Sequence, residues 1–316
     1  MRAWLAALLL LVAQSAVAGG AAVRLRWLGV AGFSISDGDT TLLQDPYLSR
    51  PGIWQTLTSW YQPDAAVLDP LFGPKSRAPE LARARLILIG HSHFDHLGDA
   101  PWIALRTGAR IAGSQTTVSI ARAYGVDAGH ALRVDPGATL REGAFTVRVI
   151  ESRHAKVAFG RVPLDCTIET PPEAPIHALS FCLGDARLYL VTHEPTGTRI
   201  LLSSSAAVFP PALDALHEEG VSVDALLAAT QGRDPDYARS LVAAVRPRLA
   251  IPSHFESFFT SLDSSDADAP SDPEDLAAFE RELAEAAKAE GVALQVRRLA
   301  LFEEIELPRP AAGTGG

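Results

Sequence analysis

The chain reads Leu-Ile-Leu-Ile-Gly-His-Ser-His-Phe-Asp-His from residue 86 to residue 96. The apolar run predicts a buried strand, and the glycine after it releases the backbone into a loop. That loop carries three imidazoles and one carboxylate, the usual ligands of zinc and neighbouring divalent metals. His91 and His93, two apart in an extended segment, are expected to point the same way. Asp95 and His96 lie beyond the bend and can turn toward a second position. The alternative is a histidine-rich surface loop that binds no metal.

A metal loop needs further ligands, and two more histidines follow predicted strands. His154 comes shortly after the strand predicted over residues 145–150, and His254 after the one predicted over residues 249–252. Both repeat the arrangement of His91, an imidazole at the exit of a strand. Because strand exits converge on one edge of a sheet, we expect the three loops to meet. For each histidine alone, an ordinary surface or hydrogen-bonded role is the alternative.

Residues 1–18 have the anatomy of a secretory signal peptide. Arg2 precedes an apolar run over residues 3–13, and Ala16-Val17-Ala18 is a small-x-small cleavage site. The run is too short for a comfortable transmembrane helix, and no later segment approaches the length needed to span a bilayer. An uncleaved membrane anchor is the alternative. We therefore predict a periplasmic or secreted protein with no integral membrane segment after removal of the signal.

The charge balance limits the partners of the chain. It has 28 Lys and Arg against 37 Asp and Glu, a formal net charge of −9, which argues against nucleic acid and anionic membrane and leaves a small-molecule substrate. Residues 19–308 are expected to form a single domain because nothing in them resembles an interdomain linker. The tail over residues 309–316 is predicted to be disordered. The sequence carries no signal for an oligomeric state.

Strands and helices are mixed in both halves of the chain, which suggests two central sheets with helices outside. Asp99 and Asp272 are predicted to cap the first and last helices. The irregular, Pro-rich residues 155–185 are predicted to form a lid or binding loop. The predicted helices cover residues 100–106, 116–124, 211–219, 234–245 and 273–290, and the predicted strands residues 23–28, 29–33, 41–43, 86–89, 145–150, 186–192, 199–203 and 249–252.

Cys166 and Cys182 are the only cysteines, and they flank the Pro-rich residues 170–175. An even number of cysteines in an exported chain is typical of a disulfide, and two unpaired buried thiols are the alternative. The remaining histidines are interpreted as structural, with a pocket-facing His193 as the alternative; they are His130, His177, His193 and His217. Phe255, Phe258 and Phe259 are interpreted as core residues, and lining an apolar substrate pocket is the alternative. No run of Lys or Arg marks a phosphate pocket, and Arg153 and Arg161 are only weak candidates.

The motif over residues 91–96 resembles the His-x-His-x-Asp-His signature of the metallo-β-lactamase-fold metallohydrolase superfamily. Residues 27–33 and 45–48 look like the branch that contains ascorbate-6-phosphate lactonase and the phospholipase D that cleaves N-acylphosphatidylethanolamine. The resemblance implies a mixed α/β (α+β) fold, a four-layer αββα sandwich that acts as a hydrolase. It places a first metal among His91, His93 and His154, and a second among Asp95, His96 and His254.

One position departs from the family pattern. In the family a strand is usually followed by Ser-Gly-Asp, whose Asp bridges both metals, and here Ser205 stands in its place. A neutral hydroxyl is a poor bridging ligand, and the missing charge leaves two dications less compensated. We therefore expect one tightly bound zinc, or a second that binds weakly. Glu194 and Asp99 are the candidates for a replacement carboxylate.

These residues predict a secreted metal-dependent hydrolase. Zinc held by three histidines keeps a position open for water and lowers the pKa of that water to about 7. Asp95 is the predicted catalytic residue, which orients the water or takes its proton. The substrate is an ester, lactone, amide or phosphodiester. The alternative is a metal-binding or sensing protein with little or no turnover because of Ser205. Di-iron redox chemistry fits poorly without a bridging carboxylate.

Overall fold

The computed structural model describes residues 21–157 and 160–308. The predicted signal peptide over residues 1–18 and the predicted disordered tail over residues 309–316 lie outside the described residues, so both stay predictions. Within the described ranges, the strands form two sheets of seven strands each. Helices of these same ranges pack on the outer face of each sheet.

The first sheet is built from the N-terminal part of the chain and one C-terminal strand. From β14 to β3 its neighbours pair antiparallel, and from β3 to β6 they pair parallel. The predicted turn between β2 and β3 forms because the Asp37 carboxylate accepts from the N–H groups of Asp39 and Thr40, at 2.9 and 2.7 Å. In spatial order the strands are β14 Glu304–Glu306, β1 Arg24–Gly29, β2 Gly32–Ser36, β3 Thr41–Gln44, β4 Ala84–Leu88, β5 Arg110–Gly113 and β6 Ala131–Arg133.

The second sheet repeats this plan with the C-terminal half of the chain. Neighbours from β13 to β10 pair parallel, and those from β10 to β7 pair antiparallel. In spatial order the strands are β13 Gln295–Val296, β12 Leu249–Ser253, β11 Ala225–Ala229, β10 Thr198–Ser203, β9 Arg187–His193, β8 Phe145–Glu151 and β7 Thr139–Glu142. Each sheet therefore has a parallel portion, where strand ends point the same way and loops gather.

Side-chain alternation along the strands separates three apolar cores. In β4, Leu86 and Leu88 lie in the core between the two sheets, whereas Ile87 packs in the core beneath the helices of the first half. A third core lies between the second sheet and the helices of the second half, with Leu226 on its sheet side and Phe279 on its helix side. The order of layers is thus helix, sheet, sheet, helix, the predicted αββα sandwich.

The helices begin and end largely where their caps predict. In the longest helix, Asp272 accepts from the N–H groups of Glu274 and Asp275, both at 3.0 Å, and Gly291 follows its end with φ +61°. None of the helices in the described ranges is long and apolar enough to cross a bilayer. They are α1 Ile53–Thr58, α2 Ala65–Leu71, α3 Phe94–Leu97, α4 Ala100–Thr107, α5 Gln115–Ala123, α6 Pro210–Glu218, α7 Tyr237–Val245 and α8 Pro273–Ala289, with 3-10 helices at Pro79–Arg83 and Ala178–Ser180.

Two local predictions were wrong. The Asp99 side chain does not cap α4, because its carboxylate accepts from the N–H groups of Leu48 and Ser49 instead, at 2.6 and 2.7 Å. Helix α7 begins at Tyr237 rather than at residue 234, because Asp236 takes a left-handed conformation with φ +64° and interrupts the helix start. Both exceptions arise from tertiary contacts or a local turn that the hydrophobic pattern does not encode.

Candidate metal centre

The candidate centre lies where strand exits from both sheets meet. His91 follows β4 of the first sheet, while His154 and His254 follow β8 and β12 of the second. Their imidazoles line one cavity together with His93 and Asp95. Two groups of possible ligands form there, each with donor atoms within 4.8 Å of one another: His91, His93 and His154, and Asp95, His96 and His254. The structure thus brings together all six residues that the sequence nominated, and their role as metal ligands stays a prediction.

The first group contains only imidazoles, and burial keeps them neutral. Burial lowers the pKa of His91 well below its usual range, and the neighbouring imidazoles lower it further. Burial likewise lowers the pKa of His93 to about 3 and lowers the pKa of His154. The neutral imidazole is the form that binds a metal, so the group is prepared to act as a ligand set.

Hydrogen bonds fix which ring nitrogens of this group are free. His154 Nδ1 lies 2.7 Å from the carbonyl oxygen of Ala155, and His93 Nε2 lies 3.1 Å from that of Pro163. His154 Nε2 and His93 Nδ1 are left as the ligand atoms. Among the described residues, neither ring nitrogen of the buried His91 has a hydrogen-bond partner. A buried imidazole without partners is costly unless it binds something, so the group fits a metal ion.

The second group is arranged around one carboxylate. Asp95 Oδ2 lies 3.2 Å from His254 Nε2 and 3.4 Å from His96 Nε2. A tetrahedral ion with bonds of about 2.0–2.1 Å separates its ligand atoms by roughly 3.3 Å, so these distances match the edges of such a site. Among the described residues, His254 Nδ1 has no partner. The group therefore also fits a metal ion.

The charges in this second group favour a cation. Burial alone would raise the pKa of Asp95, but His96 and His254 hold it well below its usual range. Burial also opposes the charged form of His96, yet Asp95 and Asp45 together raise the pKa of His96 to about 10. Two carboxylates therefore stabilise positive charge at His96 in this buried place, and a divalent ion supplies that charge equally well.

Asp45 is a site residue that the sequence reasoning did not assign. Its Oδ2 lies 3.1 Å from His96 Nδ1, and its Oδ1 accepts from the N–H of Gly90 at 2.7 Å. This is the carboxylate–histidine pairing that orients metal ligands in other proteins. A Cβ on Gly90 would come within 3.1 Å of Asp45 Oδ2 and 2.0 Å of Ser204 Oγ, so only glycine fits there. The available signal was an Asp-Pro pair directly after a strand.

The hydroxyl of Ser205 stands where the resemblance would place a bridging carboxylate. Ser205 Oγ accepts from the N–H of Ala155 at 3.0 Å, which fixes the backbone beside His154. Asp99 and Glu194, the candidates for a replacement carboxylate, do not belong to the cavity lining in the described ranges. Asp99 is buried and bonded to the loop that holds Ser49, and Glu194 is exposed in the hairpin between β9 and β10. Asp95 is therefore the single carboxylate of the two donor groups in the described part of the chain.

The cavity in front of the two groups has a volume of about 330 Å³. Phe258 and Phe259 line it, with ring centroids 4.4 Å apart, and they also pack against the core of the first half, so both roles considered for them apply. Phe255 does belong to the core, where its ring packs 5.0 Å from that of Trp27. Of the irregular residues 155–185, predicted to form a lid or binding loop, Val157, Pro163, Leu164 and Leu179 line the cavity, in agreement with a binding loop.

The comparisons with known proteins cover most of the chain. No protein-family model matches it. The chain is 29% identical over 239 residues to a UPF0173 metal-dependent hydrolase of Anaeromyxobacter sp. (strain K), covering 73% of this chain and 74% of the relative. It is 27% identical over 240 residues to a protein of the same name from Pyrobaculum islandicum, covering 75% and 85%.

Solved structures agree on the fold. The metallo-β-lactamase fold protein YhfI from Bacillus subtilis matches with a TM-score of 0.52 at 12% identity, covering 90% of this chain and 99% of YhfI. The metallo hydrolase Igni18 from Ignicoccus hospitalis matches with a TM-score of 0.55 at 15% identity, covering 90% and 98%. These relatives and the shared fold support the metallo-β-lactamase superfamily, as the resemblance of the motif predicted. The relatives' names confirm the predicted enzyme class, a metal-dependent hydrolase, and identify no substrate.

The other four histidines of the chain have partners outside the centre, as interpreted from the sequence. His193 is buried, with Nδ1 2.8 Å from Thr196 Oγ1 and Nε2 3.4 Å from Asp37 Oδ2. The other three contact a nearby carboxylate or carbonyl oxygen: His130 at Asp127, His177 at Leu57 and His217 at Ala243. The predicted disulfide is also present, between Cys166 and Cys182.

Proposed function

We propose that this protein is an exported zinc hydrolase that cleaves an ester, lactone, amide or phosphodiester with water. The observation that carries the proposal is the pair of donor groups, three imidazoles and an Asp-His-His set, opening on one cavity. Imidazole-rich ligand sets of this kind suit zinc. When bound, zinc supplies Lewis acidity, which lowers the pKa of water to about 7 and polarises the bond under attack.

The residues of the chain divide the remaining work. His91, His93 and His154 would hold one ion, and the other donor group would hold a second ion more weakly. The Asp95 carboxylate, which belongs to the second donor group, would accept a hydrogen bond from the attacking water, orienting it or taking its proton. Asp45 holds His96 in the required tautomer through Nδ1. The apolar rings beside the centre exclude bulk water and strengthen these electrostatic interactions.

Substitution of a single ligand tests the proposal. In His93→Ala, we expect loss of zinc from the purified protein and a fall in hydrolysis of at least about a hundredfold, because its imidazole belongs to the more tightly binding group. His130→Ala is the matched control, since that exposed imidazole pairs with Asp127 and does not belong to the described cavity lining. Elemental analysis and a panel of esters, lactones and phosphodiesters supply the readouts. If His93→Ala kept both zinc and turnover, the proposed function would be wrong.

A second candidate function is a metal-binding or sensing protein with little or no turnover. Ser205 favours it, because its hydroxyl is engaged with the Ala155 N–H and adds no negative charge. Ser205→Asp restores the missing carboxylate, and Ser205→Asn is its neutral control. Hydrolysis by the wild type supports the enzyme. Bound metal without turnover, together with turnover that appears only in Ser205→Asp, supports the sensor.

Export is proposed from the N-terminal sequence and the disulfide. Arg2, the apolar run after it and the Ala-Val-Ala site are typical of a signal peptide. The Cys166–Cys182 bond agrees with an oxidising compartment. Expression of the full chain in a bacterium, followed by fractionation and mass determination, is expected to recover a periplasmic protein that begins at residue 19. A cytoplasmic product that retains residues 1–18 contradicts export.

A further inference from the structure

The cavity lining is charged or carries imidazoles only at the two donor groups and is neutral elsewhere. Its charged and imidazole groups are those of the two donor groups. Away from them, its described lining contains no Lys or Arg, and its polar side chains are neutral: Thr56, Ser204, Ser205 and Gln231. The weak phosphate candidate Arg161 and the neighbouring Lys156 are exposed and do not belong to the described lining. An anionic substrate group would therefore meet no cationic side chain there.

Exposed apolar side chains concentrate around this cavity. Of the seven large hydrophobic residues that are exposed in the described ranges, three line the cavity and three lie on α1 or directly after it. Trp54 is 77% exposed and Trp60 66%. Only Leu105, on α4, lies elsewhere. The cavity residues are Leu57, Val157 and Leu179, and the others are Ile53, Trp54 and Trp60. Isolated exposed apolar residues are ordinary, whereas a contiguous group marks a binding surface.

Specific contacts hold the two sides of the cavity mouth together. His177 Nε2 lies 3.2 Å from the carbonyl oxygen of Leu57, and the Tyr61 N–H donates to the carbonyl oxygen of Ile176 at 2.8 Å. These bonds join α1 to the 3-10 helix that carries Leu179. The apolar mouth is thus a built part of the fold, continuous with the phenylalanine rings deeper in the cavity.

We propose that the substrate of this site is uncharged and carries an alkyl or aryl group, which fills the cavity from Phe258 and Phe259 to Leu57 and Leu179. The inference rests on the proposed hydrolase and narrows its substrate class. Each buried methylene contributes about 0.8 kcal/mol, a factor of about four in affinity or rate. A phosphate or carboxylate in the same place would lose its hydration without gaining a partner.

A matched series of esters tests this specificity. We expect kcat/KM to rise about fourfold per methylene from para-nitrophenyl butyrate to the hexanoate, until the cavity is full. The mono-para-nitrophenyl ester of adipic acid has the same chain as the hexanoate with a terminal carboxylate, and it should be at least about tenfold poorer. Equal rates for the hexanoate and the adipate ester, or no gain with chain length, overturn the inference.

Variants at the mouth attribute the effect to this surface. Leu57→Ser is expected to reduce the gain per methylene, and Leu179→Lys to raise the adipate rate relative to the hexanoate rate by at least about tenfold. Leu105→Ser is the matched control, because that side chain is 60% exposed on a different helix. A Leu105→Ser variant that changes specificity as much as Leu57→Ser contradicts the assignment.

A binding measurement separates this inference from the proposed function. Methyl hexyl ketone is uncharged and cannot be hydrolysed, and calorimetry compares it with the same ketone carrying a terminal carboxylate. We expect the neutral ketone to bind at least about tenfold more tightly, and Leu57→Ser to weaken it. If no ester is hydrolysed while this preference holds, the hydrolase proposal fails for esters and the cavity inference stands. If both ketones bind equally, the cavity inference fails whatever the turnover.

Discussion

Each imidazole of the centre that has a partner is held by a polar atom outside the two donor groups or by Asp95. Carbonyl oxygens of Pro163 and Ala155 contact His93 and His154, and the Asp45 carboxylate contacts His96. Such contacts fix the tautomer and the direction of the ring, and through them the affinity for metal. The sequence therefore identified the imidazoles of the centre, but not the polar atoms that orient them.

Asp45→Asn tests the most specific of these supports. The change keeps the size of the side chain and removes its charge, so the group of His96 is expected to lose about 10- to 100-fold in metal affinity. The all-histidine group should keep its affinity. Titration with zinc against a chromophoric chelator measures the zinc affinities of the two donor groups separately. Asp37→Asn, beside the buried His193, is the control, and an equal loss in both variants would count against the role of Asp45.

At the scale of elements, a buried ion pair anchors the loop after β12. The Arg50 guanidinium lies 2.9 Å from Glu256, and both side chains are fully buried. The Val30 N–H donates to the same carboxylate, and the carbonyl oxygen of Val30 accepts from the N–H of His254 at 2.9 Å. The pair therefore positions His254 through the backbone, without itself lining the cavity.

Glu256→Gln is expected to lower the free energy of unfolding by about 3 kcal/mol, because the buried Arg50 loses its counter-charge. Glu219→Gln is the matched control: its exposed pair with Arg148 is worth about 0–1 kcal/mol. Urea denaturation of both variants supplies the comparison. Similar losses of unfolding free energy in the two variants would contradict a larger contribution from the buried pair.

The disulfide closes a loop within the irregular residues 160–185, and a backbone hydrogen bond ties that loop to the metal loop. The Leu183 N–H donates to Leu164 beside Cys166, and the Ser92 N–H donates to the carbonyl oxygen of Leu183, both at 2.9 Å. Ser92 lies between the first two histidines of the motif. The wall of the cavity and the loop that carries the ligands are thus one connected element.

Replacing both cysteines with serine is expected to lower the free energy of unfolding by about 3 kcal/mol, the amount that a closed loop of this size contributes. Thermal unfolding with and without a phosphine reductant provides the measurement. The reductant should destabilise the wild type and leave the double variant unchanged. A wild type that is insensitive to reduction after the bond is shown to be broken would contradict this prediction.

At the scale of the whole molecule, the centre joins the two sheets. Strand β4 of the first sheet carries the motif, and β8 and β12 of the second carry the distant histidines. A metal ion in the second group would therefore cross-link segments more than 150 residues apart, as Asp95 and His254 are. Binding to the folded state alone makes stability depend on the concentration of metal.

Removal of metal tests this dependence. At free zinc one hundred times its dissociation constant, the folded state gains about 2.7 kcal/mol, so a chelator should lower the midpoint of thermal unfolding. His93→Ala should respond less than the wild type, and His130→Ala should respond equally. Scanning calorimetry checks the prediction. An unchanged midpoint in the chelated wild type, with loss of metal verified by elemental analysis, would refute it.

The sequence by itself determined the local part of this structure. The continuous apolar run over residues 86–89 specifies a strand that is buried on both faces, and Asp272 with Gly291 bounds the last helix, because these signals act between residues close along the chain. The motif over residues 91–96 identified its own candidate ligands, because imidazoles and a carboxylate gathered in one loop are the usual ligands of zinc. The fold class followed from the resemblance that this motif carries.

Only the tertiary structure decided which distant groups meet. Asp45 and His96 are 51 residues apart, and no local pattern links them. The sequence left open whether Phe258 and Phe259 pack in the core or line a pocket. In the structure they do both, beside a cavity whose other wall comes from α1 and the 3-10 helix. Asp99 likewise accepts a hydrogen bond from Ser49 in a distant loop instead of capping its own helix. Such contacts arise from how the two sheets pack, which composition and periodicity do not record.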